Sequence, residues 1–210
     1  MTGYFLTLEG IDGCGKSTHA RRVADALTAA GREVVLTREP GATDLGQKLR
    51  KALLETEGPV SDVAELLGFA ADRAQHVDEV IRPARGRGEV VISDRFADST
   101  HAYQGSGRGV DREMLERAIE LATGGLSPDL TILIDVDLAV ARERSAETAS
   151  DRLERESDAF FECVREGFLE LARREPHRIS TIDGSGSLEE TAAAVLATVH
   201  ERLPDLIRSA

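Results

Sequence analysis

The 210-residue sequence contains no asparagine, and only three of its 26 basic residues, Lys16, Lys48 and Lys51, are lysine. Without asparagine the chain cannot carry the Asn-Lys-x-Asp motif with which GTPase switches read guanine. Cysteine is also scarce. Cys14 and Cys163 show no zinc-ligand spacing and suggest no disulfide framework, which fits a reduced, cytoplasmic setting. No run of about 18 apolar residues occurs, and Tyr4–Leu8 passes straight into Glu9-Gly10, so neither a membrane span nor a signal peptide is expected. The five histidines (His19, His76, His101, His177, His200) show no metal-ligand pairing and are expected as surface or packing groups. Positive charge is in deficit as well. A formal charge of −12 argues against a nucleic-acid binder that depends on phosphate contacts.

The basic charge that remains is nearly all arginine, the better residue for forked recognition of phosphate. Codon bias or a high-salt habitat would give the same composition, so position must decide each arginine's role. The length suits one domain, spanning 1–210. β-rich runs at Tyr4–Glu9, Glu33–Thr37, Val90–Ser93, Leu130–Asp135 and Arg178–Ile182 alternate with helical patterns at Ser17–Ala30, Val60–Ile81, Asp111–Ala122 and from Ser187 onward. The central runs are almost continuously apolar, as strands buried on both faces should be. This alternation predicts an α/β fold with a doubly wound, parallel, five-stranded sheet. The charge-dense stretch Ala141–Ser157 breaks the pattern. It reads either as a solvated helical connection or as a lid that carries arginine over bound nucleotide.

Gly10-Ile11-Asp12-Gly13-Cys14-Gly15-Lys16-Ser17 matches G-x-x-x-x-G-K-[ST], between the first strand and the first helix. In such a P-loop the backbone N–H groups and the helix N-terminus cradle phosphates, and Thr18 completes the expected ATP contacts. Lys16 is expected to reach the β- and γ-phosphates, with the Ser17 hydroxyl on magnesium. Cys14 reads as a small residue that fits the loop. After the third strand, Asp94 can hold magnesium through water and Arg95 can face an anionic acceptor. A structural ion pair at the strand end is the other reading.

The chain resembles the thymidylate kinases of bacteria and archaea, which are nucleoside monophosphate kinases. The resemblance rests on Leu8–Gly13 with the P-loop, Thr37-Arg38-Glu39-Pro40-Gly41, Ala71–His76, Asp94-Arg95, Ala102–Gly105 and Asp151-Arg152-Leu153-Glu154. It implies transfer of the γ-phosphoryl group of ATP to dTMP, with Mg2+, in a homodimer. By the same resemblance Arg38 and Arg95 lie near the acceptor phosphate, and Asp12 lies by the sugar 3′-hydroxyl. Phe69 stacks on thymine, Arg73 meets a base carbonyl, Thr100 and Gln104 approach the base edge, and Tyr103 crowds the sugar 2′ side. Some relatives place an arginine in the P-loop, and many have lids richer in arginine. Here the lid, about 142–156, leaves Arg152, with Arg144 in support, to meet the transition state beside the catalytic Lys16 and Arg95. Adenine is expected beside Thr181–Gly184. A kinase of another monophosphate or small metabolite on this scaffold, and a non-enzymatic nucleotide-binding regulator, remain as alternatives.

Overall fold

Five short strands, β1 (Phe5–Glu9), β2 (Val34–Arg38), β3 (Val90–Asp94), β4 (Leu130–Asp135) and β5 (Ile179–Asp183), form one parallel sheet in the order β2-β3-β1-β4-β5. The computed structural model describes residues 3–145 and 151–206. β1 lies at the centre with every residue buried, and its neighbours β3 and β4 are buried except at their last residues. β2 and β5 alternate between sheltered and more exposed positions, as edge strands do. The strand order reverses beside β1, so the C-terminal ends of β1 and β3 open a crevice where ligands of doubly wound sheets bind.

The helices are α1 (Lys16–Ala29), α2 (Asp44–Leu54), α3 (Asp62–His76), α4 (Arg82–Gly86), α5 (Ala97–Thr100), α6 (Arg112–Thr123), α7 (Leu138–Ser145), α8 (Asp158–Arg174) and α9 (Leu188–Arg202). Side-chain caps start several of them. Thr43, Ser61, Asp111 and Ser157 each accept a backbone N–H two or three residues into their helix. Ser187 and Glu190 form the full capping box that their spacing predicts. Gly31, at φ 83°, turns the chain out of α1.

The helix expected over Val60–Ile81 is longer and less regular. α3 passes into a π-helical stretch, Val77–Ile81, and on into α4 through Pro83. The widened turn accommodates a proline ring that would collide with the carbonyl of residue 79 in a regular helix. A second π-helical stretch, His101–Gly107, carries Tyr103 and Gln104 and packs on α8. At Gly167 of α8 an added Cβ would lie 2.4 Å from Ser106 Oγ, so only glycine permits that approach. Phe160, Phe161 and Phe168 of α8 surround the Tyr103 ring edge-on, at 6.2–6.4 Å between centroids.

Candidate active site

The P-loop leaves β1 at Gly10 and enters α1 at Lys16, with Gly15 in the left-handed region as N-cap. Gly13 is also left-handed, and a Cβ there would lie 2.1 Å from the Ala141 carbonyl oxygen. The loop therefore rests directly on α7. Lys16 is buried, donates to the Ile11 carbonyl at 2.8 Å and lies 3.9 Å from Asp12. The Ser17 hydroxyl donates to the Asp94 carboxylate, bringing two oxygen donors together at the mouth of the loop. A cleft of about 620 Å³ runs from here past Arg38, Arg50 and Arg95 to Arg144, Gly186, Leu188 and Thr191.

Arg95 follows β3 in the left-handed region, at φ 73°, which is unusual for a residue with a side chain. Its amide donates to Leu8 and Ser93 Oγ donates to its carbonyl, fixing the turn. Its guanidinium donates to the Gly10 carbonyl at 3.0 Å, Ser99 Oγ at 2.9 Å, Asp12 Oδ1 at 2.5 Å and the Tyr103 hydroxyl at 3.0 Å. The Tyr103 hydroxyl donates to the other Asp12 oxygen at 2.8 Å. Withdrawal from water alone would raise the Asp12 carboxyl, but Arg95 and Lys16 hold it well below the usual carboxylate range. Beneath the turn, the fully buried Glu9 accepts from Phe96 N–H at 2.7 Å and from Ser99 Oγ at 2.6 Å. Burial, and then Asp98, push Glu9 up to about 8.

A smaller pocket of about 110 Å³ adjoins the cleft, lined by Pro40, Leu54, Phe69, Arg73, Thr100 and Gln104 on one side and by Asp151, Leu153 and Glu154 on the other. Asp12, Glu39, Arg50 and Arg95 line both spaces. Arg73 donates to Glu39, Thr100 Oγ1 and the Phe96 carbonyl, all within 2.9 Å. Gln104 donates to Glu65 Oε1 at 2.8 Å. Burial, followed by Asp151 and Asp12, raises the Glu154 carboxyl. An elongated anion with a flat end would thus lie with its charge at Arg95 and its flat end between Phe69 and Arg73.

A model of the thymidylate kinase family matches residues 8–195. The chain belongs to the thymidylate kinase family. It is similar to the thymidylate kinase of Geobacter sulfurreducens, 49% identical over 96% of this chain and 99% of that protein. The thymidylate kinase of Synechococcus sp. (strain CC9902) is also 49% identical, over 97% and 100%. Among solved structures, the crystal structure of thymidylate kinase from Ehrlichia chaffeensis superimposes with a TM-score of 0.78 at 33% identity, covering 95% of this chain and 99% of that one.

Within this thymidylate kinase fold the residues singled out from the sequence mostly converge. Lys16, Ser17, Thr18, Arg38, Asp94 and Arg95 line the cleft, and Phe69, Arg73, Thr100, Tyr103 and Gln104 line the pocket. Two expectations need correction. Arg152, expected over the phosphate cradle, instead donates to the Leu53 carbonyl at 2.9 Å and to Glu65 Oε2 at 2.6 Å. The buried Glu65 carboxylate requires compensating charge, which Arg152 and Arg108 supply, and it also accepts a hydrogen bond from Gln104. The arginine that does line the cleft is Arg144, held by the carbonyls of Gly184 at 2.9 Å and Gly186 at 3.2 Å. Cys14 fits the loop as a small residue, with its thiol fully buried and its N–H donating to the Ile11 carbonyl at 3.3 Å. The stretch Ala141–Ser157 is not simply solvated, since Ala141 and Leu153 are buried and Arg152 N–H bonds the Leu54 carbonyl. Residues 146–150 of the expected lid lie outside the described residues. The sequence reading gave no site role to Arg50, Glu39 or Glu154, although Glu39 and Glu154 lie in its motifs. Arg50 lies in an ordinary amphipathic helix, and only the turn of β2 into α2 brings it to the junction.

Proposed function

We propose that the larger cleft binds ATP and the smaller pocket binds dTMP, with phosphoryl transfer at their junction. As a member of the thymidylate kinase family, this chain transfers the γ-phosphoryl group of ATP to dTMP, giving dTDP and ADP. The observation that carries the site assignment is the sharing of Asp12, Glu39, Arg50 and Arg95 between the two spaces. A phosphate chain in the P-loop and a monophosphate in the pocket would face each other across Arg50 and Arg95.

The acceptor oxygen is ionised at neutral pH, so the residues need to position and neutralise rather than remove a proton. Lys16 and the loop N–H groups would hold the ATP phosphates, while Arg95, Arg50 and Arg38 would orient the acceptor phosphate in line. Phe69 would stack on thymine, Arg73, Thr100 and Gln104 would meet its edge, and Tyr103 and Asp12 would border the sugar. Arg144 takes the part first expected of Arg152, because it lines the cleft that holds the phosphates. Ser17 and Asp94 supply hard oxygen donors that fit Mg2+, and two protein donors leave room for phosphate oxygens and water. Magnesium bound there would neutralise charge on the transferring phosphate. Among the described residues no cluster of three His, Cys, Asp or Glu side chains could hold a metal ion.

The proposal extends to a single cytoplasmic kinase domain whose 142–156 segment acts as a lid. It also extends to a homodimer formed through the exposed apolar face of α3 (Val63, Leu67, Ala71) beside Met114 of α6. Among the described residues no helix is long and apolar enough to cross a membrane. A coupled ADP-release assay over nucleoside monophosphates tests the reading, with dTMP expected to exceed dCMP and dGMP in kcat/KM by at least about a hundredfold. Comparable rates with dGMP, or ADP release indifferent to acceptor, would overturn it.

A further inference from the structure

Behind the smaller pocket, four buried ionisable side chains meet in a cluster; two of them, Glu39 and Arg73, reach the pocket wall, and the mechanism above gives Asp72 and His76 no part. Glu39 follows β2, whereas Asp72, Arg73 and His76 lie on the last turns of α3, and each is at most 5% exposed. We propose that His76 is a positioning residue for base recognition, fixing the Arg73 guanidinium at the pocket wall through Glu39. The proposal rests on the reading of this pocket as the acceptor-base site.

The two oxygens of Glu39 have separate partners. Oε2 accepts from Arg73 Nε at 2.8 Å and lies 2.8 Å from Nη2, while Oε1 lies 2.8 Å from His76 Nδ1. A carboxylate only accepts, so Nδ1 carries the hydrogen. His76 Nε2 lies 2.8 Å from the Thr37 hydroxyl, which can serve it in either role. A chain of contacts therefore runs from Thr37 through His76 and Glu39 to Arg73. Arg73 lines the pocket, but His76 does not, so His76 acts on a ligand only through Glu39.

Glu39 needs this hold because a second carboxyl lies beside it. Asp72 Oδ1 accepts from Gly41 N–H at 3.0 Å, while the buried Oδ2 has no hydrogen-bond partner among the described residues. Burial, and then the nearby Glu39, push Asp72 up to about 6. Two buried carboxyls side by side repel when both are ionised, and the groups that favour the Asp72 carboxylate against this are the Gly41 N–H, then His76 and Arg73. Without the Nδ1 donor, Oε1 loses its fixed partner at an almost wholly buried position. Glu39 is then free to rotate and release Arg73 Nε, and the guanidinium loses one of the three anchors that set its plane.

Two substitutions at one position separate positioning from packing. Asparagine places an amide N–H near the former Nδ1, whereas glutamine places its amide near the former Nε2. His76→Gln is expected to weaken dTMP binding by about tenfold, with ATP affinity and kcat at saturating dTMP within about twofold of the parent. His76→Asn is expected to bind dTMP within about threefold of the parent, although it leaves the larger cavity. Calorimetry with dTMP and with ATP on the folded proteins reads both. Parent-like dTMP binding by His76→Gln overturns the proposal, as does equal weakening by both variants. An Arg73→Lys control isolates the underlying assignment: if it leaves dTMP affinity unchanged, the pocket reading has failed rather than the relay. Should His76→Gln not fold, Thr37→Val reads the chain from its outer end. There a threefold loss in dTMP affinity alone supports the relay, and parent-like binding overturns it.

Discussion

Arginines around the site differ in what already holds them, and this sets what each substitution will do. Arg152 neutralises the buried Glu65 from a position off the ATP cleft. Arg152→Ala should therefore cost about 2–4 kcal/mol in chemical denaturation, since removing one partner leaves a buried charge short of compensation. Its kcat should stay within about fivefold of the parent. Among the described residues Arg144 has only carbonyl hydrogen-bond partners, and it lines the cleft, so Arg144→Ala should lower kcat by at least about tenfold at little cost in stability. Steady-state kinetics and urea melts on both variants check the reversal. Glu9 makes a different prediction, in pH. Its folded pKa of about 8 lies above the ordinary glutamate value of about 4.5, so across that window the unfolded chain releases a proton that the folded chain keeps. Stability contributed by this group is present below about pH 4.5 and is lost as pH rises toward 8. Glu9→Gln keeps an acceptor for Phe96 N–H and removes the carboxylate that titrates. Between pH 5.5 and 8 the parent should lose more stability than Glu9→Gln, by on the order of a few kcal/mol. Parallel stability curves would show that Glu9 titrates normally.

At the scale of elements, the site depends on how closely α8 approaches the π-helical stretch His101–Gly107. Tyr103 and Gln104 reach the pocket from that stretch, and Gly167 allows α8 to seat against it. Gly167→Ala gains helix propensity of about 1 kcal/mol but places a methyl group against Ser106. The clash should win, because Ser106 is followed by Gly107, which is itself wedged against Phe160. The melting temperature should fall by several degrees and KM for dTMP should rise at least about threefold, with KM for ATP unaffected. A variant as stable as the parent with unchanged KM values would mean that the contact relaxes without moving Tyr103. The P-loop depends on its neighbour in the same way, through Gly13 on α7. The buried Cys14 thiol should accordingly resist labelling in the native protein.

At the scale of the whole molecule, the exposed side chains Val63, Leu67 and Ala71 recur at helical spacing along α3. Leu67 is 57% exposed on a helix whose opposite face carries Arg73 and Glu65 to the site. A homodimer through this face would brace the pocket wall from behind. Leu67→Asp should shift the protein to monomer in sedimentation equilibrium, with a rise in KM for dTMP larger than that for ATP. A parent that sediments as a monomer would remove this face from consideration.

Strand positions, the P-loop and the family motifs were readable from local signals: buried apolar runs, a glycine spacing and short ordered motifs. All five strands lie within a residue of their expected bounds, because a parallel strand buried on both faces has little choice of composition. Helices α2 and α8 were not assigned, although Thr43 and Ser157 cap them and α8 carries a clear apolar face. The partners of charged side chains could not be read in the same way. Arg144 and Arg152 have the same chemistry eight residues apart, and the sequence favours Arg152 because of its motif. The tertiary structure decides otherwise, because Glu65, 87 residues away, is buried where Arg152 arrives and has to be neutralised there. His76 likewise looks like any packing histidine until β2 brings Glu39 and Thr37 against it. Apolar burial is a property each residue carries by itself, whereas pairing depends on which charges the fold takes out of water together.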